Sequence, residues 1–200
     1  MIRVVLAEDQ AMLRGALASL LSLETDLEIV AQADNGAAAL RHVQRLKPDV
    51  LITDIEMPEL TGIEIADHLK RHGPNTAVMI ITTFTRPGYL QRAIKCGVRG
   101  YMLKDTPSGD LANAVRKISA GGTAFENNSE MLETIQADPL SNRDRKILRL
   151  VEAGKTNKEI AQNLNLSAGT VRNYLSEALE KLGVSNRIEG FRIARINGWL

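Results

Sequence analysis

Five short runs of almost unbroken aliphatic residues, each followed by an amphipathic stretch, constrain the first 120 residues more than any other feature. The runs are Ile2–Ala7, Leu27–Ala33, Val50–Thr53, Ala77–Thr82 and Gly100–Leu103. They lack the polar alternation of a half-exposed strand, so they suit strands buried on both faces. Between them, Ala11–Leu23, Gly36–Leu46, Gly62–Arg71, Tyr89–Cys96 and Gly109–Ala120 carry helical periodicity. Five consecutive strand–helix units require a parallel sheet covered by helices on both sides. Right-handed crossovers narrow this to an α/β fold with a doubly wound five-stranded parallel sheet. In such sheets the working site lies beyond the carboxyl ends of the strands, where strand order reverses.

Gly121-Gly122 closes the last of these helices. Residues 123–138 are polar and weakly periodic and read as a linker, with a short helix expected near Glu130–Ile135. The remainder, 139–200, reads as a separate all-α domain of four helices starting near 142, 157, 168 and 187. Ser141 with Asp144 resembles a capping pair, Thr156 with Glu159 forms a full capping box, and Ser167 and Asn186 are further N-caps.

The net charge of +1 conceals an asymmetry. Residues 139–200 hold 11 Lys/Arg against 6 Asp/Glu, and the rest holds 14 against 18, so a basic tail follows an acidic front. That division suits different partners for the two parts, nucleic acid among them for the tail. The single Cys96 excludes an intrachain disulfide and a cysteine metal site. No run of 18 apolar residues and no leader pattern is present, so a cytoplasmic protein without a membrane partner is expected.

Ionisable residues gather at the strand ends. Glu8 and Asp9 follow the first strand, Asp54 the third, Thr82 ends the fourth, and Lys104 follows the fifth. The fold brings these ends to one edge. Each residue alone reads as a helix cap, a solvated charge or a strand former. Together, three carboxylates that repel one another call for a cation, and an oxygen-rich site of this kind suits Mg²⁺. A lysine and a hydroxyl beside them can stabilise a transferred phosphoryl group.

On Glu8-Asp9, Asp54-Ile55-Glu56-Met57-Pro58 with Thr61-Gly62, Thr82, and Tyr101 three residues before Lys104, the front resembles the response-regulator receiver family, over about residues 1–122. The resemblance implies that Asp54 is a phosphoacceptor. Asp9, Asp54 and the Glu56 backbone carbonyl would hold Mg²⁺, with Glu8 acting mainly through water. Lys104 would pair with Asp54, Thr82 would hydrogen-bond the phosphoryl group, and Tyr101 would swing inward with it. Many receivers have Pro directly after the lysine; Asp105 stands there in this chain.

In the tail, Val171, Tyr174, Leu175, Ala178 and Leu182 share one face of the third helix, and Arg172, Asn173 and Ser176 lie on the opposite one. The preceding helix and its Asn165-Leu166 turn complete a helix-turn-helix, whose second helix suits the major groove. Arg172 and Asn173 carry donors for base edges; Asn157, Lys158 and Lys181 suit phosphates, and Thr170 lies at the helix start. A plain bundle with a mildly basic face fits the same pattern. Leu140-Ser141 with Arg143-Asp144, Gly154–Ala161, Ser167–Val171 and Lys181–Val184 resemble the LuxR-type helix-turn-helix, with Arg172 and Tyr174 in place of its usual Lys and His.

The whole resembles the NarL/FixJ class of response regulators. That implies a sensor histidine kinase as phosphodonor, homodimerisation on phosphorylation, double-stranded DNA as target, and contact with RNA polymerase. The segments AEDQAML, TTFTRPGYLQRAIK and GTVRNY are most similar to regulators paired with a membrane-sensing kinase, which implies membrane-lipid genes as targets. Slow self-dephosphorylation is expected, but not substrate turnover. An aspartyl-nucleophile phosphatase of the haloacid-dehalogenase type needs Asp two residues after its nucleophile, and Glu56 stands there. A small-molecule sensor in front of the same tail gives no reason for the acidic set. For dimerisation, the first helix, with Met12 and Leu13 as exposed residues, and the fifth helix are expected surfaces.

Overall fold

The computed structural model describes residues 1–83, 87–125 and 138–200. The short helix expected near Glu130–Ile135 lies outside them. Two compact units make up the chain, one around a sheet and the other around the last four helices.

The sheet unit contains β1 (Ile2–Ala7), β2 (Leu27–Ala33), β3 (Val50–Asp54), β4 (Ala77–Thr82) and β5 (Gly100–Leu103), joined by α1 (Ala11–Leu21), α2 (Gly36–Leu46), α3 (Gly62–His72) and α4 (Pro87–Lys95), and followed by α5 (Ser108–Ser119). All strand pairs are parallel, in the order β2-β1-β3-β4-β5-β6. Every residue of β3 is buried, as expected for an uninterrupted aliphatic run in a central strand. Val4, Leu6, Val50, Ile52, Met79 and Ile81 pack with Leu17 and Leu21 of α1 and Leu111, Val115 and Ile118 of α5. The alternate positions Val5, Leu51 and Ile80 are equally buried and point to the other face. There α2 packs on α3 and on β1.

Two differences from the sequence reading concern this unit. The sheet has a sixth strand, β6 (Ala124–Phe125), which pairs with Gly100 and Tyr101 of β5 and lies within the expected linker. Two residues are too few to show a period. The strand is set instead by its approach: Gly121 turns at φ +91°, the Arg99 side chain donates to the Gly121 carbonyl at 2.6 Å, and the Ala124 N–H donates to the Arg99 carbonyl at 2.8 Å. Second, Met12 is 89% exposed as expected, but Leu13 is half-buried and packs against the core. It lies one position round the helix toward Leu17.

The helical unit contains α6 (Asn142–Glu152), α7 (Asn157–Leu164), α8 (Ala168–Lys181) and α9 (Arg187–Ile196). Ser141/Asp144 and Thr156/Glu159 both form complete capping boxes, so the shorter Asp still reaches the Ser141 N–H, at 2.9 Å. Ser167 and Asn186 cap α8 and α9 through their side chains. Between α7 and α8 the chain reverses at Asn165, φ +52°, with the Leu166 N–H closing on the Ala161 carbonyl at 2.9 Å. Val171, Leu175 and Ala178 of α8 are buried with Ile147, Leu148 and Val151 of α6 and Ile160 of α7. That packing leaves the opposite face of α8 to solvent.

Candidate functional site

The carboxyl ends of β1, β3, β4 and β5 meet at one edge. Asp54 ends β3, and its two oxygens have different partners: Oδ1 accepts the Ile55 N–H at 2.6 Å, and Oδ2 pairs with Lys104 Nζ at 2.9 Å. Lys104 also reaches Glu8 Oε2 at 2.7 Å. Its position is set by the sheet ladder, because the Lys104 N–H continues the β4–β5 pairing onto the Thr82 carbonyl at 2.8 Å. Glu8 is fully buried, Asp54 and Thr82 are buried, and Asp9 is exposed. Carboxylate oxygens of Glu8, Asp9 and Asp54 lie within 4.8 Å of one another.

Burial dominates the electrostatics. It pushes the Asp54 carboxyl above its ordinary range despite the Lys104 hydrogen bond that opposes it. Burial also raises Glu8, against Lys104, and the charge of Asp54 adds to the rise. For Lys104, burial acts against the charge, but hydrogen bonds to Glu8 and Asp54 outweigh it and raise the ammonium. One ammonium thus faces three carboxylates, leaving a net negative, oxygen-only pocket. That donor set fits a hard divalent cation such as Mg²⁺. Glu8 and Asp54 each hold Lys104 with one oxygen and a backbone N–H with the other, so Asp9, exposed at the rim, adds the third carboxylate of the set. Glu56 follows β3 with an exposed side chain. Tyr101 in β5 is wholly buried, so here its side chain is already turned inward.

Three residues at this edge have structural roles that the sequence does not announce, Gly62 among them although it belongs to the quoted motif. Arg14 of α1 donates to the backbone carbonyls of Glu8, at 2.6 Å, and Asp9, at 3.3 Å, and so fixes the loop that carries both acids. A cation one and a half turns after an acid pair is the only signal it gives. Gly62 lets α3 begin against Asp54: a Cβ there would stand 2.2 Å from the Asp54 carbonyl oxygen. Gly36 does the same where α2 meets the loop after β3, since its Cβ would lie 2.0 Å from the Leu60 carbonyl oxygen. The Gly36 N–H donates to the Pro58 carbonyl at 3.1 Å, and Glu59 beside it holds φ +68°.

In the helical unit, Arg172, Asn173 and Ser176 project from the exposed face of α8, and Lys158 is exposed on α7. Thr170 is half-buried, its hydroxyl 2.8 Å from that of Ser167 at the α8 cap. Asn157 is half-buried beside Arg187, which also donates to the Lys155 carbonyl at 2.6 Å and ties α9 to the start of α7. Lys181, expected to face phosphates, is exposed and pairs with the buried Asp144 at 2.5 Å.

Comparison with known proteins agrees with both halves. Residues 4–116 match the response regulator receiver domain, and residues 138–194 match the luxR family of bacterial regulatory proteins. The chain is 50% identical to the transcriptional regulatory protein DesR of Bacillus subtilis (strain 168), over all of this chain and 99% of that one. It is 48% identical to the uncharacterized transcriptional regulatory protein YvfU of the same organism, over the full length of both. Among solved structures, the complex of the two-component response regulator RcsB with DNA aligns at 27% identity and a TM-score of 0.64, over 98% of each chain. No helix among the described residues is long and apolar enough to cross a membrane. An acidic pocket at the sheet edge followed by a LuxR-type helix-turn-helix places this chain in the family of two-component response regulators that bind DNA and regulate transcription.

Proposed function

We propose that Asp54 is the phosphoacceptor and that its phosphorylation by a sensor histidine kinase switches dimerisation and sequence-specific DNA binding. The observation that carries the reading is the placement of Lys104 Nζ within 2.9 Å of a buried Asp54 carboxylate, in a pocket with two further acids. An Asp54 oxygen attacks phosphorus and forms the acyl-phosphate P–O bond. The donor's P–N or P–O bond breaks, and its electron pair leaves with the imidazole or acetate. Asp9, Asp54 and the Glu56 carbonyl would hold Mg²⁺, which would supply charge neutralisation for the phosphoryl oxygens. Lys104 shifts its hydrogen bond from the carboxylate to the phosphoryl group, and the Thr82 hydroxyl donates to it. The added charge of about −1.5 to −2 then biases the β4–β5 surface, where Tyr101 already lies inward.

On DNA, Arg172 and Asn173 read bases, and Asn157, Lys158, Thr170 and Ser176 position the helix on the duplex. Two copies on paired half-sites supply the affinity that one short helix lacks. Met12 on α1 and the outer face of α5 are the surfaces for that dimer. The functional division is 1–122 receiver, 123–138 linker and 139–200 DNA-binding domain, acting in the cytoplasm with RNA polymerase as a further partner. Membrane-lipid genes are the targets implied by the resemblance to regulators paired with a membrane-sensing kinase.

Intact mass after incubation with acetyl phosphate and Mg²⁺ tests the chemistry: the parent gains one phosphoryl group and Asp54→Ala gains none. Labelling of both, or of neither even with the matched kinase, refutes Asp54 as acceptor. Sedimentation of the phosphorylated protein tests the switch, and a persistent monomer both free and on DNA removes it.

A further inference from the structure

Two charged side chains of adjacent residues at the start of α6 reach across to α8. Asp144 has no exposed side-chain surface, yet it takes the Lys181 ammonium at 2.5 Å from the last residue of α8. Its remaining partners are local: the Ser141 N–H and hydroxyl in the capping box, and the Arg143 Nε at 3.7 Å. Arg143 reaches α8 one turn earlier. Its guanidinium carbon lies 3.7 Å from the centroid of the Tyr174 ring, and its Nη2 donates to Glu177 Oε2 at 2.8 Å.

Tyr174, Glu177 and Lys181 fall at i, i+3 and i+7, so they form one stripe along α8. Arg172, Asn173 and Ser176 lie on a neighbouring exposed stripe of the same helix. Any rotation or tilt of α8 that moves the second stripe must break the first. The contacts also differ in kind from the apolar packing beneath them. Val171, Leu175 and Ala178 resist separation of the helices but tolerate small sliding, whereas an ion pair with a buried carboxylate and a stacked guanidinium fix direction. Burial pushes the Asp144 carboxyl up, yet the hydrogen bonds from Lys181 and Ser141 prevail and hold it below the ordinary carboxylate range, so the carboxylate stays charged at neutral pH.

We propose that Asp144–Lys181 and Arg143–Tyr174/Glu177 form a clamp that sets the angle at which α8 presents Arg172 and Asn173, making Lys181 and Arg143 positioning residues for sequence discrimination and not phosphate contacts. This rests on the reading of α8 as the DNA-recognition helix. The Tyr174 ring face gives the Arg143 guanidinium its platform.

The sign of one substitution separates the two roles. Asp144→Asn removes a negative charge from a DNA-binding domain. If Lys181 met a phosphate, freeing it from Asp144 would leave binding unchanged or tighten it. If the pair is a clamp, binding to the preferred sequence weakens.

The experiment uses the full-length protein phosphorylated with acetyl phosphate. The probes are a duplex that the parent selects from a randomised 30-base-pair pool, and an unselected duplex of equal length. Asp144→Asn, Lys181→Gln and their double variant are titrated against both at several salt concentrations. The clamp requires each single variant to lose about tenfold for the selected duplex and little for the unselected one, with a double variant no worse than the singles. The slope of log affinity against log salt stays that of the parent. A Lys181→Gln slope shallower by about one, with additive effects, identifies a phosphate contact and overturns the proposal. Lys181 is 37% exposed at its side chain, so Lys181→Gln carries the test even if Asp144→Asn does not fold. Failure of the parent to select any sequence would refute the DNA-recognition reading itself, an outcome distinct from a selecting parent whose variants are unchanged.

Discussion

Glu8 and Lys104 form a 2.7 Å ion pair in which the carboxylate has no exposed surface. The lysine is therefore built into the resting site before any phosphoryl group arrives. Lys104→Met leaves Glu8 and Asp54 facing each other without a cation. Urea unfolding at neutral pH in metal-free buffer should show a loss of about 3 kcal/mol, as for other broken buried pairs. Added Mg²⁺ should restore part of it, and labelling by acetyl phosphate should fall about a hundredfold. An unchanged urea midpoint would mean that the pair contributes nothing to folding.

The raised Asp54 carboxyl makes stability depend on pH in a defined direction. The unfolded chain sheds this proton near the ordinary value of 3.8, while the folded chain keeps it to higher pH. The contribution is therefore fully present below 3.8 and lost as pH rises through the folded pKa. Glu8 behaves alike from its ordinary 4.5. Asp144 runs the other way: its carboxyl is lowered, so its contribution is present above 3.8 and lost as pH falls. Unfolding of Asp54→Asn in metal-free buffer should gain on the parent as pH rises from about 4. A constant difference between the two across that range contradicts burial as the cause.

Gly36→Ala places a Cβ 2.0 Å from the Leu60 carbonyl oxygen, against backbone that cannot rotate away. We expect a cost of about 1–3 kcal/mol and weaker Mn²⁺ binding by electron paramagnetic resonance, because the displaced loop carries Glu56. Gly15→Ala on α1 meets nothing within 4 Å and serves as the matched control. Equal behaviour of the two would show that the loop yields freely.

Arg172 and Lys158 should separate base reading from phosphate positioning. Arg172→Ala should weaken the selected duplex by about 1–3 kcal/mol and relax preference at one base position. Lys158→Ala should weaken all duplexes alike and reduce the salt slope by about one. Binding titrations with single-base duplex variants check both.

The strand runs and the acids at their ends were legible because burial on both faces and convergence at one edge follow from the α/β pattern alone. Residues whose role depends on a distant partner were not. Lys181 looked like a surface cation, and nothing near it in sequence announces Asp144, 37 residues away. Arg145 gives no local signal, yet it is buried with its guanidinium on Asp138, Asn142 and the Trp199 carbonyl. Gly36 looked like a helix start, and only the packed loop shows why a side chain is excluded. Pairing of this kind is tertiary, and local periodicity carries no trace of it.

The reversal of strand order between β1 and β3 has a kinetic meaning. α1 leaves β1 for the face it shares with α5, and α3 leaves β3 for the face it shares with α2, so the chain parts on either side of Asp9 and Asp54. Asp9 is exposed there, so the acids sit at an open edge and not in a closed cavity. On the phosphoacceptor reading, selectivity among donors would fall to the surface around that edge.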